Sequence, residues 1–333
     1  MKIILIVFIF LFSLLIPYLK YNNNIINLKK IILVYCMIDN LGDIINYELL
    51  KDLTNKEIIQ FNYCNKNFYK KINYPNFSFI GSILDKWFTN KYNLYNYSAS
   101  PLIIYGTGFI REVKGKKYPI RNIDIRAVRG KNSLKILNNC NVKYNKNIVL
   151  ADPGLLLKFL YNLSEIKKEH NLCIIPHYID QGNNILKRIN IKGSVYLDIK
   201  NKKNFMHKLS KCKRVISSSL HGLIFSDSLL IPNIRMVLSN KIIGGNFKFN
   251  DYYSSFNLKP QKYFDLRIHN LTENDLIFID KNYNITKEMI LKKQCDLLIN
   301  FPLSLSSKYK GIINKQCNKN LLILIKSYFN KIL

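Results

Sequence analysis

Acidic residues are scarce. The 333-residue chain carries 21 Asp and Glu against 51 Lys and Arg, a formal net charge of +30. Such a balance points to a partner of opposite sign: a nucleic acid, an anionic membrane surface or a phosphorylated substrate. The first is excluded because there is no dense Arg/Lys block with interleaved aromatics. The basic residues are mostly Lys, dispersed among Asn, Ile and Tyr along the whole chain, whereas proteins that track phosphate backbones concentrate their charge on one face. A field that draws in a small anionic substrate is the reading that remains. CxxC pairs are also missing. The seven cysteines (36, 64, 140, 173, 212, 295 and 317) are scattered and odd in number, which argues against a zinc knuckle and against a disulfide framework. They are expected to be small core hydrophobes. No metal site is expected either: His170, His207 and His269 have no partner at ligand spacing and read as surface residues. There is no short-period internal repeat, no complete GxGxxG and no P-loop lysine. With 48% hydrophobic and 22% charged residues the chain is expected to fold throughout.

One long apolar run is present. Residues 3–19 are broken only by Ser13 and Pro17, just long enough for a membrane anchor. No small-x-small cleavage site follows, which disfavours the rival reading as a signal peptide. Lys20, Lys29 and Lys30 behind the run, against Lys2 before it, favour placing the rest of the chain on the cytoplasmic side, or in the Golgi lumen of a eukaryotic host. The expected divisions are an anchor over 1–20, a polar linker over 21–30, an N-terminal unit over 31–160, a C-terminal unit over 161–284 and a helical, Lys-rich tail over 285–333.

Both units alternate short apolar runs with amphipathic stretches, the pattern of βα units and parallel sheets. Strands are expected at Ile31–Cys36, Leu102–Tyr105, Ile123–Val128 and Ile148–Leu150, then at Leu172–Ile175, Arg214–Ile216 and Ile234–Leu238. Helical spacing follows the first strand (Ile45, Leu49, Leu50, Leu53) and recurs over 132–137, 205–209 and from Leu220 to Leu230. Two such series in succession predict an α/β protein with two Rossmann-like domains facing across a cleft. Ligands in open α/β sheets bind at the carboxyl ends of the strands, so those loops hold the candidates.

The sharpest segment is Ser217-Ser218-Ser219-Leu220-His221-Gly222. A strand ends in three hydroxyls, Ser219 stands at the N-cap, and His221 falls in the first turn of a helix, where free N–H groups and the positive helix end favour an anion. The plain alternative is a Ser-capped helix with a solvated histidine. Gly106-Thr107-Gly108 after a strand suits close approach of backbone to a phosphate, a weak signal by itself. Asp43 beside a helix start is a cap or an acid/base group. Arg126 and Arg129 lie at a strand end, where an Arg fork suits a carboxylate or phosphate. His177 and Asp180 stand together at another.

Taken in order, these pieces resemble the polysaccharide pyruvyl transferase family. The likeness rests on Asn40-Leu41-Gly42-Asp43 with Asn46, Gly81-Ser82-Ile83-Leu84, Gly106-Thr107-Gly108-Phe109, residues 126–133 (RAVRGKNS), Asp152-Pro153, residues 176–180 (PHYID), 217–224 (SSSLHGLI), Ile231-Pro232, and Lys248-Phe249 with Asp251-Tyr252-Tyr253. It covers about residues 31–256. The resemblance implies a GT-B-like fold and phosphoenolpyruvate as donor substrate, with no cofactor. The acceptor it implies is a glycan or lipid-linked sugar whose two hydroxyls are bridged as a ketal. In that chemistry His221 donates a proton or clamps phosphate, and Arg129 with Lys241 or Lys248 binds the donor's anionic groups. Asp43 serves as base, while His177, Asp180, Ser218, Ser219, Gly106 and Gly108 shape the site. A GT-B-like glycosyltransferase using a nucleotide sugar is the alternative, and a non-catalytic glycan-binding protein a further one. One departure stands out: Phe225-Ser226-Asp227-Ser228 replaces the small, Ala-rich residues the family leads one to expect, a difference that should affect packing rather than chemistry.

Overall fold

The computed structural model describes residues 29–37, 41–62, 75–88, 101–113, 122–161, 163, 166–199 and 202–318. The apolar run at 3–19 lies outside them, and no helix among the described residues is long and apolar enough to cross a membrane.

Two parallel sheets with interleaved helices make an α/β fold. The first has six strands in the order β2-β1-β3-β4-β5-β6: β1 Lys30–Tyr35, β2 Glu57–Asn62, β3 Asn76–Ser78, β4 Leu102–Tyr105, β5 Ile123–Val128 and β6 Val149–Leu150. Its helices are α1 (Leu41–Thr54), α2 (Leu84–Phe88), α3 (Lys131–Asn139) and the short α4 (Leu157–Leu160), entered through a 3-10 turn at Pro153–Leu156. The second sheet runs β11-β10-β9-β7-β8, with β7 Leu172–Ile175, β8 Ser194–Tyr196, β9 Val215–Ser217, β10 Asn233–Val237 and β11 Tyr263–Asp265. Here α5 is Lys202–Ser210, α6 Leu220–Ser228, α7 Phe247–Ser254 and α8 Glu273–Asn282. Every strand pairing among the described residues is parallel.

Parallel strands covered on both faces read as unbroken apolar runs, and the two-residue period sorts their side chains between layers. On β1, Ile31, Leu33 and Tyr35 join one core cluster, and Ile32 and Val34 another. On β4, Ile103 and Tyr105 go to the first, Leu102 and Ile104 to the second. On β7, Cys173 and Ile175 join that same first cluster, while Leu172 and Ile174 pack in a third. One core therefore runs continuously between the two sheets, and each sheet has a private core on its far side.

The C-terminal stretch crosses back. Helix α9 (Lys287–Ile299) buries Leu297 and Leu298 in the shared core, Gln294 Nε2 donates to the Leu155 carbonyl at 2.8 Å, and the Tyr105 hydroxyl donates to the Leu297 carbonyl. Farther on, Ser306 N donates to Leu53 O at 2.7 Å, and Tyr309, in α10 (Ser307–Ile312), donates its hydroxyl to Asp52 at 2.7 Å.

The cysteines correct the expectation drawn from their spacing. Cys173 in β7 is bonded to Cys212 beyond α5, and Cys295 in α9 to Cys317; Cys36 is disulfide-bonded too, while Cys140 is a buried free thiol. The paired residues stand 39 and 22 positions apart. Sequence spacing rules on local motifs such as CxxC, but tertiary packing, of a strand in one case and of helical segments in the other, brings distant positions to within 6 Å between Cα atoms without leaving a mark in the spacing.

Candidate functional site

All the candidate loops gather at the carboxyl ends of the strands. At the end of β3, Gly81 has φ +120°, which a side chain would strain. Thr107 Oγ1 and Gly108 N both donate to its carbonyl, at 2.8 and 3.0 Å, tying the ends of β3 and β4 together. Asn46, fully buried in α1, donates to the carbonyls of Gly42 and Ile80 and accepts from Ile80 N at 2.7 Å. The first turn of α1, with Gly42 and the buried Asp43, is thereby fixed against the end of β3.

Arg129 ends β5 with no exposed surface. Its Nε donates to Asp251 at 2.9 Å, Nη1 to Ser82 Oγ and Nη2 to the Phe109 carbonyl, both at 2.5 Å. Asp251, in α7, also accepts from Ser133 N and Ser133 Oγ, at 2.8 and 2.6 Å. This fully buried ion pair thus joins β5 of the first sheet to α7 of the second, and the fork proposed for a ligand is largely committed to protein. Gly106 and Gly108 serve the same packing. A Cβ at Gly106 (φ +85°) would enter the Pro153 ring, and one at Gly108 would lie 2.5–2.7 Å from the Arg129 guanidinium. Their open faces meet protein atoms. Arg126 pairs with Asp124 at 2.7 Å.

From the second sheet, Ser218 Oγ accepts from His177 N and donates to Asp180, at 2.8 and 2.7 Å; Ser239 Oγ donates to the other Asp180 oxygen at 2.6 Å. Both oxygens of this buried carboxylate are engaged, so Asp180 holds the β7, β9 and β10 loops in register. Ile179 N donates to His177 Nδ1 at 3.3 Å, which leaves Nε2 to carry the proton in the neutral ring. Ser219 occupies the N-cap of α6 as expected, but its hydroxyl makes no capping bond. Ser217 Oγ does the local work instead, donating to Ile175 O and accepting from Ser219 N.

His221 follows in the first turn of α6, its ring stacked on Phe225 at 5.7 Å and its Nε2 enclosed without a hydrogen-bond partner. Lys248, one turn before Asp251 on α7, is buried and has no ion pair among the described residues. Burial, then the charges of Arg129 and Arg235, pull its ammonium down to about 7 against the opposing pull of Asp43 and Asp180. Burial, then Lys248, Arg129 and His177, push the His221 imidazole down to about 3; burial and Lys248 do the same to His177. Both rings are neutral at physiological pH in the free protein, and the local field is positive. Lys241, by contrast, is exposed on the loop after β10.

Sequence reasoning treated Asp152 and Asp227 only as motif or packing residues. Asp152 is fully buried, caps Gly154 N at 2.9 Å through one oxygen and leaves the other without a partner; burial lifts it to about 6. Asp227 accepts from the Tyr252 hydroxyl at 2.7 Å, Asn233 Nδ2 at 2.6 Å and the Tyr283 hydroxyl at 3.0 Å. The departure from small residues in α6 is thus matched by three donors outside that helix. A buried carboxylate in a helix is itself the signal that such donors exist.

A sequence profile of polysaccharide pyruvyl transferases fits residues 39–241. The chain is 30% identical to an uncharacterized protein, L143, of Acanthamoeba polyphaga mimivirus, over 81% of this chain and 90% of that one. It is 23% identical to the succinoglycan biosynthesis protein ExoV of Rhizobium meliloti over 46% of this chain and 47% of that one. A solved structure of a functionally uncharacterized Klebsiella pneumoniae protein overlaps 74% of this chain and 98% of its own at 14% identity, with a TM-score of 0.43, too loose a likeness to carry an argument. The profile runs from the start of α1 past the His221 helix to the loop after β10, more than half of the sequence, and on that ground the chain belongs to the polysaccharide pyruvyl transferase family.

Proposed function

We propose that this protein transfers the pyruvyl group of phosphoenolpyruvate to two hydroxyls of a glycan sugar, forming a ketal. The observation that carries the reading is Lys248: a buried ammonium with no ion pair among the described residues, set near the neutral His221 and His177. A buried charge without a contact ion pair is costly, and a small ligand bearing both a carboxylate and a phosphate would offset it. Support for two Rossmann-like domains in a GT-B-like arrangement comes from the two parallel sheets, whose loops converge from their carboxyl ends, and from α9 returning to the first sheet.

In this reading the donor's anionic groups face Lys248 and the free N–H groups of α6. Arg129, held by Asp251, acts through its field rather than as a fork. The donor's charge offsets that field, so His221 gains a proton and passes it to the methylene carbon. The C=C electron pair forms the new C–H bond and leaves an oxocarbenium-like centre. A sugar hydroxyl adds its oxygen there while Asp43 takes its proton. The C–O bond to phosphate then breaks, phosphate departs with the electron pair, and the second hydroxyl closes the ketal. The two hydroxyl protons account for the third methyl hydrogen and the proton on phosphate.

The test is to incubate purified protein with phosphoenolpyruvate and a panel of sugar acceptors, following phosphate release and acceptor mass. Acceptor-dependent release with a pyruvyl mass gain is expected, with a loss of at least about 10²-fold in His221→Ala. Full activity in His221→Ala would overturn its role. Turnover of a nucleotide sugar but not of phosphoenolpyruvate would overturn the donor assignment.

A further inference from the structure

We propose that Gly42 is a positioning residue: bare backbone at this point of α1 fixes the His221 imidazole against the second sheet. The consequence for catalysis rests on the phosphoenolpyruvate reading given above.

Gly42 is the second residue of α1 and is not among the glycines with positive φ, so backbone conformation does not require it. Glycine is a poor helix former, and the space around it explains why it stands here. A Cβ on Gly42 would overlap Nδ1, Cγ and Cε1 of His221, all inside any non-bonded contact distance. The imidazole therefore lies directly on the α1 backbone.

Neither wall of this slot yields easily. On the α1 side, buried Asn46 bonds the Gly42 carbonyl at 3.0 Å and both polar groups of Ile80, at 3.1 and 2.7 Å. On the α6 side, the ring stacks on Phe225 at an interplanar angle of 27°, and Phe225 is buried and packed edge-on against Phe205 at 6.4 Å. Helix α6 has no room to withdraw toward β9, because Gly222 already lies against Ser217 Oγ. One wall comes from the first sheet's helix and the other from the second sheet's. The ring orientation is therefore a property of how the two sheets meet.

A methyl group at position 42 should displace the ring while leaving Lys248 and the α6 N–H groups in place. A misplacement of about 1 Å at a reacting group costs about 10²-fold in rate. Gly42→Ala is thus expected to lower kcat about 100-fold with little change in KM for phosphoenolpyruvate. Alanine favours helix, so α1 should persist.

The test uses the full chain labelled with 13C and 15N at histidine, with the His221 resonances assigned by their loss in His221→Ala. In Gly42→Ala those resonances should shift while those of His170, His207 and His269 stay. Unshifted His221 resonances together with wild-type kcat would overturn the proposal. If the wild-type protein turns over no phosphoenolpyruvate, the donor assignment fails, yet the imidazole shift still decides whether Gly42 seats the ring. Should Gly42→Ala not fold, Phe225→Leu relaxes the opposite wall and takes the same readouts. Shifted ring resonances with a fall in kcat at constant KM support the slot, and wild-type values overturn it.

Discussion

Replacing Lys248 by methionine should make the free protein more stable while abolishing donor binding. Methionine fills nearly the same volume without the charge. The lysine is ordinarily half-protonated at 10.5 and in the folded protein at about 7, chiefly because burial removes its hydration. Well below pH 7 both folded and unfolded chains carry this proton and the folded one bears the full cost; at pH 7 the folded chain is half-protonated and most of the cost remains. Between 7 and 10.5 the unfolded chain holds the extra proton, so stability rises with pH, and above 10.5 the cost is gone. At about 1.4 kcal/mol per pKa unit, the cost is about 4 kcal/mol at pH 7 and about 2 kcal/mol at pH 9. Urea unfolding followed by Trp87, the chain's single tryptophan and buried in α2, measures the gap directly. The Lys248→Met variant should be the more stable by these amounts, with a gap that closes as pH rises. Its heat of phosphoenolpyruvate binding should vanish. A variant less stable than wild type at pH 7, or a gap that does not change with pH, would refute the claim that Lys248 is a desolvated cation whose burial outweighs the pull of Asp43 and Asp180.

Substitutions at two carboxylates, Asp251 and Asp227, probe the surroundings of the site. Asp251→Ala strands the buried Arg129 guanidinium and removes both Ser133 bonds, so it should cost about 3–5 kcal/mol in urea unfolding; Arg129→Met with Asp251→Leu should recover most of that. Donor affinity should fall in Asp251→Ala, since Lys248 rides on the same helix, and unchanged stability would show the pair to be dispensable. Asp227→Ala leaves the Tyr252, Asn233 and Tyr283 donors unpaired and should cost about 2–5 kcal/mol, whereas Asp227→Asn should stay within about 1 kcal/mol at low pH. Burial lifts Asp227 to about 7 from 3.8, so its contribution is fully present below 3.8 and is lost as pH rises through 7. The asparagine variant should lack that decline, and parallel pH curves for the two proteins would count against it.

Much of the framework is legible in the sequence because local physics writes it there. Ile31–Cys36, Leu102–Tyr105 and Leu172–Ile175 are apolar runs of strand length stopped by turn residues, and Ile123–Val128 alternates Ile, Ile and Ala with Asp124 and Arg126; each forms a strand at or within a residue of its expected bounds. The helix after Ser219 begins where the serine run ends. Strands β2, β3, β8 and β11 went unread. β2 (EIIQFN) mixes polar residues into its run, and the short β3 (NFS), β8 (SVY) and β11 (YFD) each include a polar residue, so no continuous apolar run sets them apart from a loop.

By itself, then, the sequence determined the alternating α/β pattern, the strand-end loops and the residue types able to meet an anion, since each follows from composition and periodicity within a dozen positions. Tertiary structure alone decided what those residues are free to do. Arg129 is bound by Asp251, 122 positions away, and Asp180 is held by Ser218 and Ser239. Cys173 meets Cys212, Gly42 meets His221, and Lys248 is left buried without a carboxylate within ion-pair reach among the described residues. Desolvation and pairing depend on which distant segments arrive at one place, and no short window of sequence holds that information.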